Sequence, residues 1–109
     1  MKSYVFGVLL ALCGSLSLAA TPPEVTVEIT KFTFKPQELT VAPGTRIRWV
    51  NHDETPHTVV SAPGQKPGIA SKAMDTDDKY EVVLKAEGDY GYLCGVHPFM
   101  TGVIHVRKP

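Results

Sequence analysis

The sequence is poor in cysteine: only Cys13 and Cys94 occur in 109 residues. So few cysteines exclude the dense disulfide framework that holds many small exported domains together. An excess of charge is also missing, since 11 basic residues balance 11 acidic ones. A near-neutral chain gives no electrostatic reason to bind nucleic acid or an anionic membrane surface. No segment has the pattern of a long amphipathic helix or a repeat, and the length suits one compact domain.

Long apolar runs are absent except near the start, where Val5–Leu12 is continuous. Lys2 is the sole charge of the first twenty residues, and small residues follow the run up to Ala20. This is the layout of a cleaved secretory signal, and the run is short for a membrane span of about 20 residues. We therefore expect residues 1–20 to be a signal peptide and residues 21–109 to be a periplasmic domain with no membrane attachment. A retained anchor and a lipid-anchored Cys13 are the alternatives.

Cleavage would leave Cys94 as the only cysteine of the mature domain. Without Lys2 the 11 basic residues become 10 against 11 acidic ones, a net charge near −1. One cysteine cannot close a disulfide within its own domain, although the periplasm favours thiol oxidation. Cys94 is therefore an intermolecular partner, a free reactive thiol or a metal ligand.

The mature chain has the pattern of short strands throughout. Apolar and polar residues alternate, with the period of two that a half-buried strand requires, in Val25–Ile29, Arg46–Val50, Tyr80–Leu84 and Gly102–Val106. We read the first run as continuing to Pro36, His57–Val60 as a further extended segment, and residues 61–78 as a long loop. Seven or so short strands separated by turns predict an all-β fold, a Greek-key β-sandwich.

The segment Tyr92–Met100 carries the chemistry. It presents Cys94, His97 and Met100 at spacings of three and three, immediately after a predicted strand. A thiolate and a thioether are soft donors and imidazole is intermediate, a mixture that suits copper alternating between Cu(I) and Cu(II). Two imidazoles and a thiolate in a plane, with a weak axial thioether, form an electron-transfer site.

A second histidine must come from elsewhere in the chain, and His57 is the best candidate. It follows the polar loop Asn51–Pro56, and loops from different strands meet at one end of a sandwich. His52 within that loop is a weaker candidate. His105 is also weaker, because it alternates outward between two apolar residues.

Several motifs together resemble the amicyanin-like cupredoxins, the short-loop type I blue copper proteins. They are Trp49-Val-Asn51, Pro56-His57, Cys94-x-x-His97-Pro-Phe-Met100 and Gly102-x-Ile-x-Val106, and the resemblance runs from about Val25 to Val106. It implies a Greek-key β-sandwich of the cupredoxin type, with about eight strands and one copper ion. It also implies that His57 and His97 bind this ion through ring nitrogens and that Met100 is the axial ligand.

The chain departs from the amicyanin-like pattern at one position. Loops of this kind usually carry proline before the second histidine, whereas this chain has Val96. We hypothesise that the Val96 N–H hydrogen-bonds Cys94 Sγ, alongside the Thr58 N–H that the resemblance implies. Such a bond withdraws electron density from the thiolate and raises the reduction potential.

The resemblance implies a one-electron carrier rather than an enzyme, because four protein ligands leave no open position for a substrate. A copper carrier or buffer without electron transfer is the alternative, and a zinc site or cysteine catalysis is a poorer fit. The expected partners are redox proteins such as a dehydrogenase and a c-type cytochrome. They would dock transiently near His97, Pro98 and Phe99 on a monomer.

Overall fold

The computed structural model of this chain describes residues 22–109, so the predicted signal peptide at residues 1–20 lies outside the described residues. Residues 22–109 form eight strands and no helix, and therefore hold no helical segment that could cross a membrane. The strands are β1 (Glu24–Thr30), β2 (Thr33–Lys35), β3 (Glu38–Val41), β4 (Arg46–Asn51), β5 (Val60–Ser61), β6 (Lys79–Val83), β7 (Gly88–Leu93) and β8 (Thr101–Val106).

The strands form two four-stranded sheets. One has the order β2-β1-β4-β6 and the other the order β3-β8-β7-β5. In each sheet one pair is parallel, β1 with β4 and β3 with β8, and the other pairs are antiparallel. The predicted all-β sandwich of about eight strands is confirmed.

Alternation along the strands separates the core from the surface. Ile47 and Trp49 on β4 have no exposed surface, while Arg48 between them points outward and contacts Glu81 through Nε at 2.6 Å. On β8 Ile104 is likewise buried. Burying each large apolar side chain contributes about 1.5–3 kcal/mol, so this pattern specifies which face of each sheet is inside.

The chain reverses direction where we predicted one continuous extended run. Lys31 and Phe32 form a two-residue turn with φ of 51° and 59°, and β2 pairs antiparallel with β1 so that Thr33 lies opposite Thr30. A hairpin turn of this hand needs positive φ at both central residues. It is usually signalled by Asn-Gly, and the absence of that signal explains the wrong prediction.

The predicted strand at His57–Val60 is also shorter than expected, since β5 contains only Val60 and Ser61. His57 instead forms an isolated bridge with Met74, through backbone hydrogen bonds of 3.1 and 2.8 Å. The Val59 N–H donates to Ser71 Oγ at 2.9 Å. The segment 70–74 therefore takes the bonds that a neighbouring strand would otherwise make, and it fixes His57 at the end of the sandwich.

Candidate metal centre

The loop between β7 and β8 holds three of the four predicted ligands. Cys94 follows the last residue of β7 and Met100 precedes the first residue of β8. The Cys94 N–H donates to the Met100 carbonyl at 3.0 Å, and the Met100 N–H donates to the His97 carbonyl at 2.9 Å. These bonds close the loop on itself and leave little freedom in the backbone that carries the three side chains.

Donor atoms from Cys94, His57 and His97 converge on one point. Cys94 Sγ lies 3.7 Å from Nδ1 of His57 and 3.7 Å from Nδ1 of His97. A donor atom of each residue lies within 4.8 Å of those of the other two, the only such group among the His, Cys, Asp and Glu side chains of residues 22–109. Cys94 and His57 are fully buried, whereas His97 is partly exposed.

These distances fit a metal ion. Zinc, a first-row transition metal, binds nitrogen at about 2.0 Å and sulfur at about 2.3 Å. A nitrogen and a sulfur bound at these distances and about 120° apart lie about 3.7 Å from each other. The three donors therefore suit a trigonal arrangement of two imidazoles and a thiolate. Met100 lies at the end of the same loop and is 2% exposed. It carries a thioether, which is the kind of weak axial donor that a blue copper site uses.

The surroundings of Cys94 favour its thiolate. Burial raises the pKa of the thiol, but hydrogen bonds together lower it to about 6. The largest lowering comes from the Thr58 N–H, which donates to Sγ at 3.4 Å. Both histidines and the Val96 N–H lower the pKa further. A metal ligand must be deprotonated, so this environment prepares the sulfur for binding.

A carboxylate that sequence analysis missed orients His57. Asp53 Oδ2 lies 2.8 Å from His57 Nε2, so the ring donates there and presents Nδ1 toward Cys94. Burial raises the pKa of Asp53, but bonds from the Phe32 N–H, the His57 ring and the Lys31 N–H lower it overall. The sequence signal for this contact is only an aspartate four residues before the histidine, in a loop whose fold the pattern does not specify.

An apolar patch surrounds the exposed edge of the site. We define it as Phe32, Val96 and Phe99, the large apolar side chains with exposed fractions of 36%, 59% and 72%. The Phe32 ring meets His57 and His97 edge to face, each at 5.0 Å between centroids, and stacks on Phe99 at 6.4 Å. Partly exposed His97 therefore lies within an apolar rim.

The two weaker histidine candidates lie elsewhere. His52 pairs with Glu28 on the outer surface of β1. His105 on β8 lies between Asp89, 2.6 Å from its Nδ1, and Glu38, 2.5 Å from its Nε2. Neither belongs to the cluster around Cys94.

Comparison with known proteins agrees with this geometry. Residues 22–107 match the family described as copper-binding proteins of the plastocyanin/azurin family. This chain belongs to that family. Amicyanin-alpha of Methylorubrum extorquens is 33% identical over 98 residues, which cover 86% of this chain and 82% of the relative. The crystal structure of amicyanin from Paracoccus versutus superposes with a TM-score of 0.71 at 30% identity, covering 82% of this chain and 86% of that one.

The predicted amicyanin-like cupredoxin is therefore confirmed, and so is its cofactor, one copper ion. A copper-containing nitrite reductase from Thermus scotoductus is also similar, with a TM-score of 0.74 at 27% identity. The match covers 92% of this chain but only 25% of the reductase. This chain thus corresponds to one part of that larger enzyme, whereas it spans most of the length of the amicyanins above.

Proposed function

We propose that this cupredoxin is a one-electron carrier that holds its copper through His57, Cys94, His97 and Met100. The observation that carries the proposal is the convergence of two Nδ1 atoms on one buried sulfur at 3.7 Å each. The bound copper would supply the Cu(I)/Cu(II) couple, and this donor set is the one used for electron transfer.

The protein's own contribution is a site that is held from two sides. His57 is fixed by backbone bonds to Met74 and by the Asp53 carboxylate. Cys94 and Met100 are fixed by the backbone bond between them. Because these supports do not depend on one another, we expect the ligands to move little when the charge at the site changes. Small rearrangement is what fast electron transfer requires.

Loading with copper tests the proposal directly. The oxidised protein should be intensely blue through thiolate-to-copper charge transfer, and Cys94→Ser and His57→Ala should abolish the band. His52→Ala is the matched control, since His52 pairs with Glu28 outside the cluster, and it should stay blue. A colourless Cu(II) protein, or a blue His57→Ala variant, would contradict the ligand set.

A copper carrier or buffer is the alternative function, and it differs in what happens to the ion. A buffer gives up its copper to a partner, whereas an electron carrier keeps it through repeated oxidation and reduction. Cyclic voltammetry of the loaded protein, with the copper content measured before and after, separates the two. Reversible cycling with full retention supports the electron carrier.

The partners would dock on the apolar patch beside His97, near Pro98 and Phe99. Small apolar interfaces suit the brief encounters of redox proteins, and a dehydrogenase as donor with a c-type cytochrome as acceptor fits that use. Phe99→Asp should slow electron transfer to a cytochrome at least about tenfold, because a charge at the centre of an apolar contact is costly to bury. Stopped-flow absorbance measures the rate, and sedimentation checks that the carrier is a monomer.

The cellular location is a separate part of the proposal. We propose that residues 1–20 direct export and are removed, so that the carrier works in the periplasm. N-terminal sequencing of the protein recovered from the periplasmic fraction should begin at or close to residue 21. Recovery of the full chain from the cytoplasm would contradict this part alone.

A further inference from the structure

The turn between β1 and β2 is held in an unfavourable conformation. Lys31 and Phe32 both lie in the left-handed region, at φ of 51° and 59°. That region costs a residue other than glycine about 1–2 kcal/mol, and it is uncommon for a bulky aromatic. Such a turn persists only where surrounding groups stabilise it, and strain of this kind concentrates at functional sites.

A single carboxylate stabilises the turn. Asp53 accepts the Lys31 N–H on Oδ1 at 2.7 Å and the Phe32 N–H on Oδ2 at 2.9 Å. The same Oδ2 accepts the ring hydrogen of His57 Nε2. The Asp53 side chain is only 12% exposed, so these bonds are little weakened by water.

Asp53 is itself fixed from both sides of its backbone. Its N–H donates to Oδ1 of the fully buried Asn51 at 3.0 Å. Its carbonyl accepts the Thr76 hydroxyl at 2.7 Å. The carboxylate therefore connects the turn to the His57 ring and holds the backbone of Phe32 beside it.

The Phe32 ring consequently covers the two histidines. It stands nearly perpendicular to both, at 88° to His57 and 81° to His97, with 5.0 Å between centroids in each case. The two imidazoles are themselves 5.0 Å apart, so one phenyl ring spans the gap between them. His97 is partly exposed, and the Phe32 ring packs against it.

We propose that Phe32 is a cover on the copper centre that retards release of the metal, and that Asp53 is the positioning residue that holds the cover in place. The proposal rests on the proposed ligand set of His57, Cys94, His97 and Met100. It goes beyond electron transfer, because it concerns how firmly the ion is kept. A carrier that docks repeatedly through its exposed histidine edge needs such protection against loss of copper.

The rate of copper release tests the role of the ring. Cu(I)-loaded protein is mixed with excess bicinchoninate, and formation of the coloured chelate is followed. Phe32→Ala should release copper about fivefold faster, the size expected from losing edge-to-face ring contacts. Phe32→Asn should do the same while keeping a residue that tolerates positive φ, so faster release cannot be ascribed to a misfolded turn.

Two controls separate the cover from general effects at this surface. Lys31→Asn relieves strain in the same turn but keeps the phenyl ring, and it should release copper at the wild-type rate. Phe99→Ala removes a more exposed ring of the same patch, farther from His97 at 6.2 Å, and should change the rate less than twofold. If Phe32→Ala releases copper at the wild-type rate, or Phe99→Ala accelerates release as much, the proposal is wrong.

The role of Asp53 is tested through the turn rather than through the rate alone. Asp53→Asn should speed amide hydrogen exchange at Lys31 and Phe32 in the copper-loaded protein, as measured by NMR, and should also speed copper release. Exposed Glu54→Gln in the same loop should change neither. In the double variant with Phe32→Ala, the two effects on release should not add, because Asp53 acts in part through the ring. If the effects on copper release add fully, or if amide hydrogen exchange at Lys31 and Phe32 is unchanged in Asp53→Asn, Asp53 does not hold the cover in place.

The outcome for the cover is distinct from that for the ligand set. If the wild-type protein forms no blue centre, the proposed function fails before release is measured. If the blue centre forms and keeps its spectrum in Phe32→Ala, the release rates decide the further inference alone.

Discussion

The Thr58 hydroxyl accepts the Gly95 N–H at 2.8 Å, and this bond joins the segment that carries His57 to the loop that carries Cys94. The Thr58 N–H donates to Cys94 Sγ at 3.4 Å, so one residue contacts the ligand loop through both its backbone and its side chain. The two segments are far apart in sequence: His57 precedes β5 at the edge of its sheet, and the Cys94 loop joins β7 and β8, the central strands of the same sheet. Their separation at the copper centre is therefore set in part by Thr58.

Replacing Thr58 with valine removes the hydroxyl and keeps the shape and the backbone N–H. We expect the free energy of unfolding of the metal-free protein to fall by about 1 kcal/mol, the usual net value of one hydrogen bond. Urea denaturation measures the loss. Exposed Thr40→Val on β3 is the control and should change stability less. Equal effects from the two variants would show that the bond to Gly95 contributes nothing specific.

Val96→Pro should lower the reduction potential. The Val96 N–H helps to hold down the pKa of Cys94, and proline has no N–H to offer. Losing this donor returns electron density to the sulfur and favours Cu(II). Val96→Ala keeps the N–H and should leave the potential close to the wild-type value. Voltammetry of the wild-type protein and the two variants measures the potentials. An unchanged or higher potential in Val96→Pro would contradict the prediction.

Gly102→Ala should destabilise the fold. A methyl group at Gly102 would lie 2.4 Å from the Tyr92 hydroxyl, and the Tyr92 ring is 1% exposed and cannot move aside. Overpacking of a core by one methyl typically costs about 1–3 kcal/mol. Gly91→Ala is the matched control on the neighbouring strand, because its methyl would meet only the flexible end of Gln65. In thermal unfolding, the midpoint temperature of Gly102→Ala should be well below that of Gly91→Ala.

The stability of the metal-free protein should depend on pH through His105. Bonds to Asp89 and then to Glu38 raise the pKa of His105 above its ordinary value of 6.5. A raised folded-state pKa stabilises the protein fully below about 6.5, and this contribution is lost as pH rises through the folded-state pKa. His105→Gln should therefore cost more stability at pH 5.5 than at pH 8.5.

Asp89, the partner of His105, limits this contribution to stability at acidic pH. Bonds from His105 and then Arg107 lower the pKa of Asp89 below its ordinary value of 3.8. Its contribution is present above 3.8 and disappears as pH falls through the lowered pKa. Denaturation of wild type and His105→Gln across pH 3–9 gives the difference curve, which should be largest between about 4 and 6.5. A flat difference would contradict the ion-paired role of His105.

Much of the fold and the site could be predicted because the signals are local. Alternation places Ile47, Trp49 and Ile104 inside without reference to the rest of the chain. Cys94 and His97 share one short loop, so their spacing alone brings them together. His57 required the further assumption that loops converge at one end of a sandwich.

The supporting contacts of the site could not be predicted because they join distant segments. The Asp53 carboxylate meets Lys31 and Phe32 across 22 and 21 residues of sequence. Their turn lacks glycine or asparagine, so its left-handed backbone depends on a partner that no local pattern reveals. The Thr58 hydroxyl reaches Gly95 across 37 residues in the same way. These residues stabilise a geometry that the ligand motif only implies.

The backbone bond from Cys94 to Met100 closes the ligand loop at its base and separates it from the rest of the sheet. The loop enters and leaves through neighbouring strands, with Leu93 paired to Thr101, so the sheet beneath it is complete whatever its length. A change in the length of this loop would therefore alter the surroundings of His97 while leaving the paired strands β7 and β8 in place. The sandwich, with its own core of aromatic and aliphatic residues, would not need to be rebuilt.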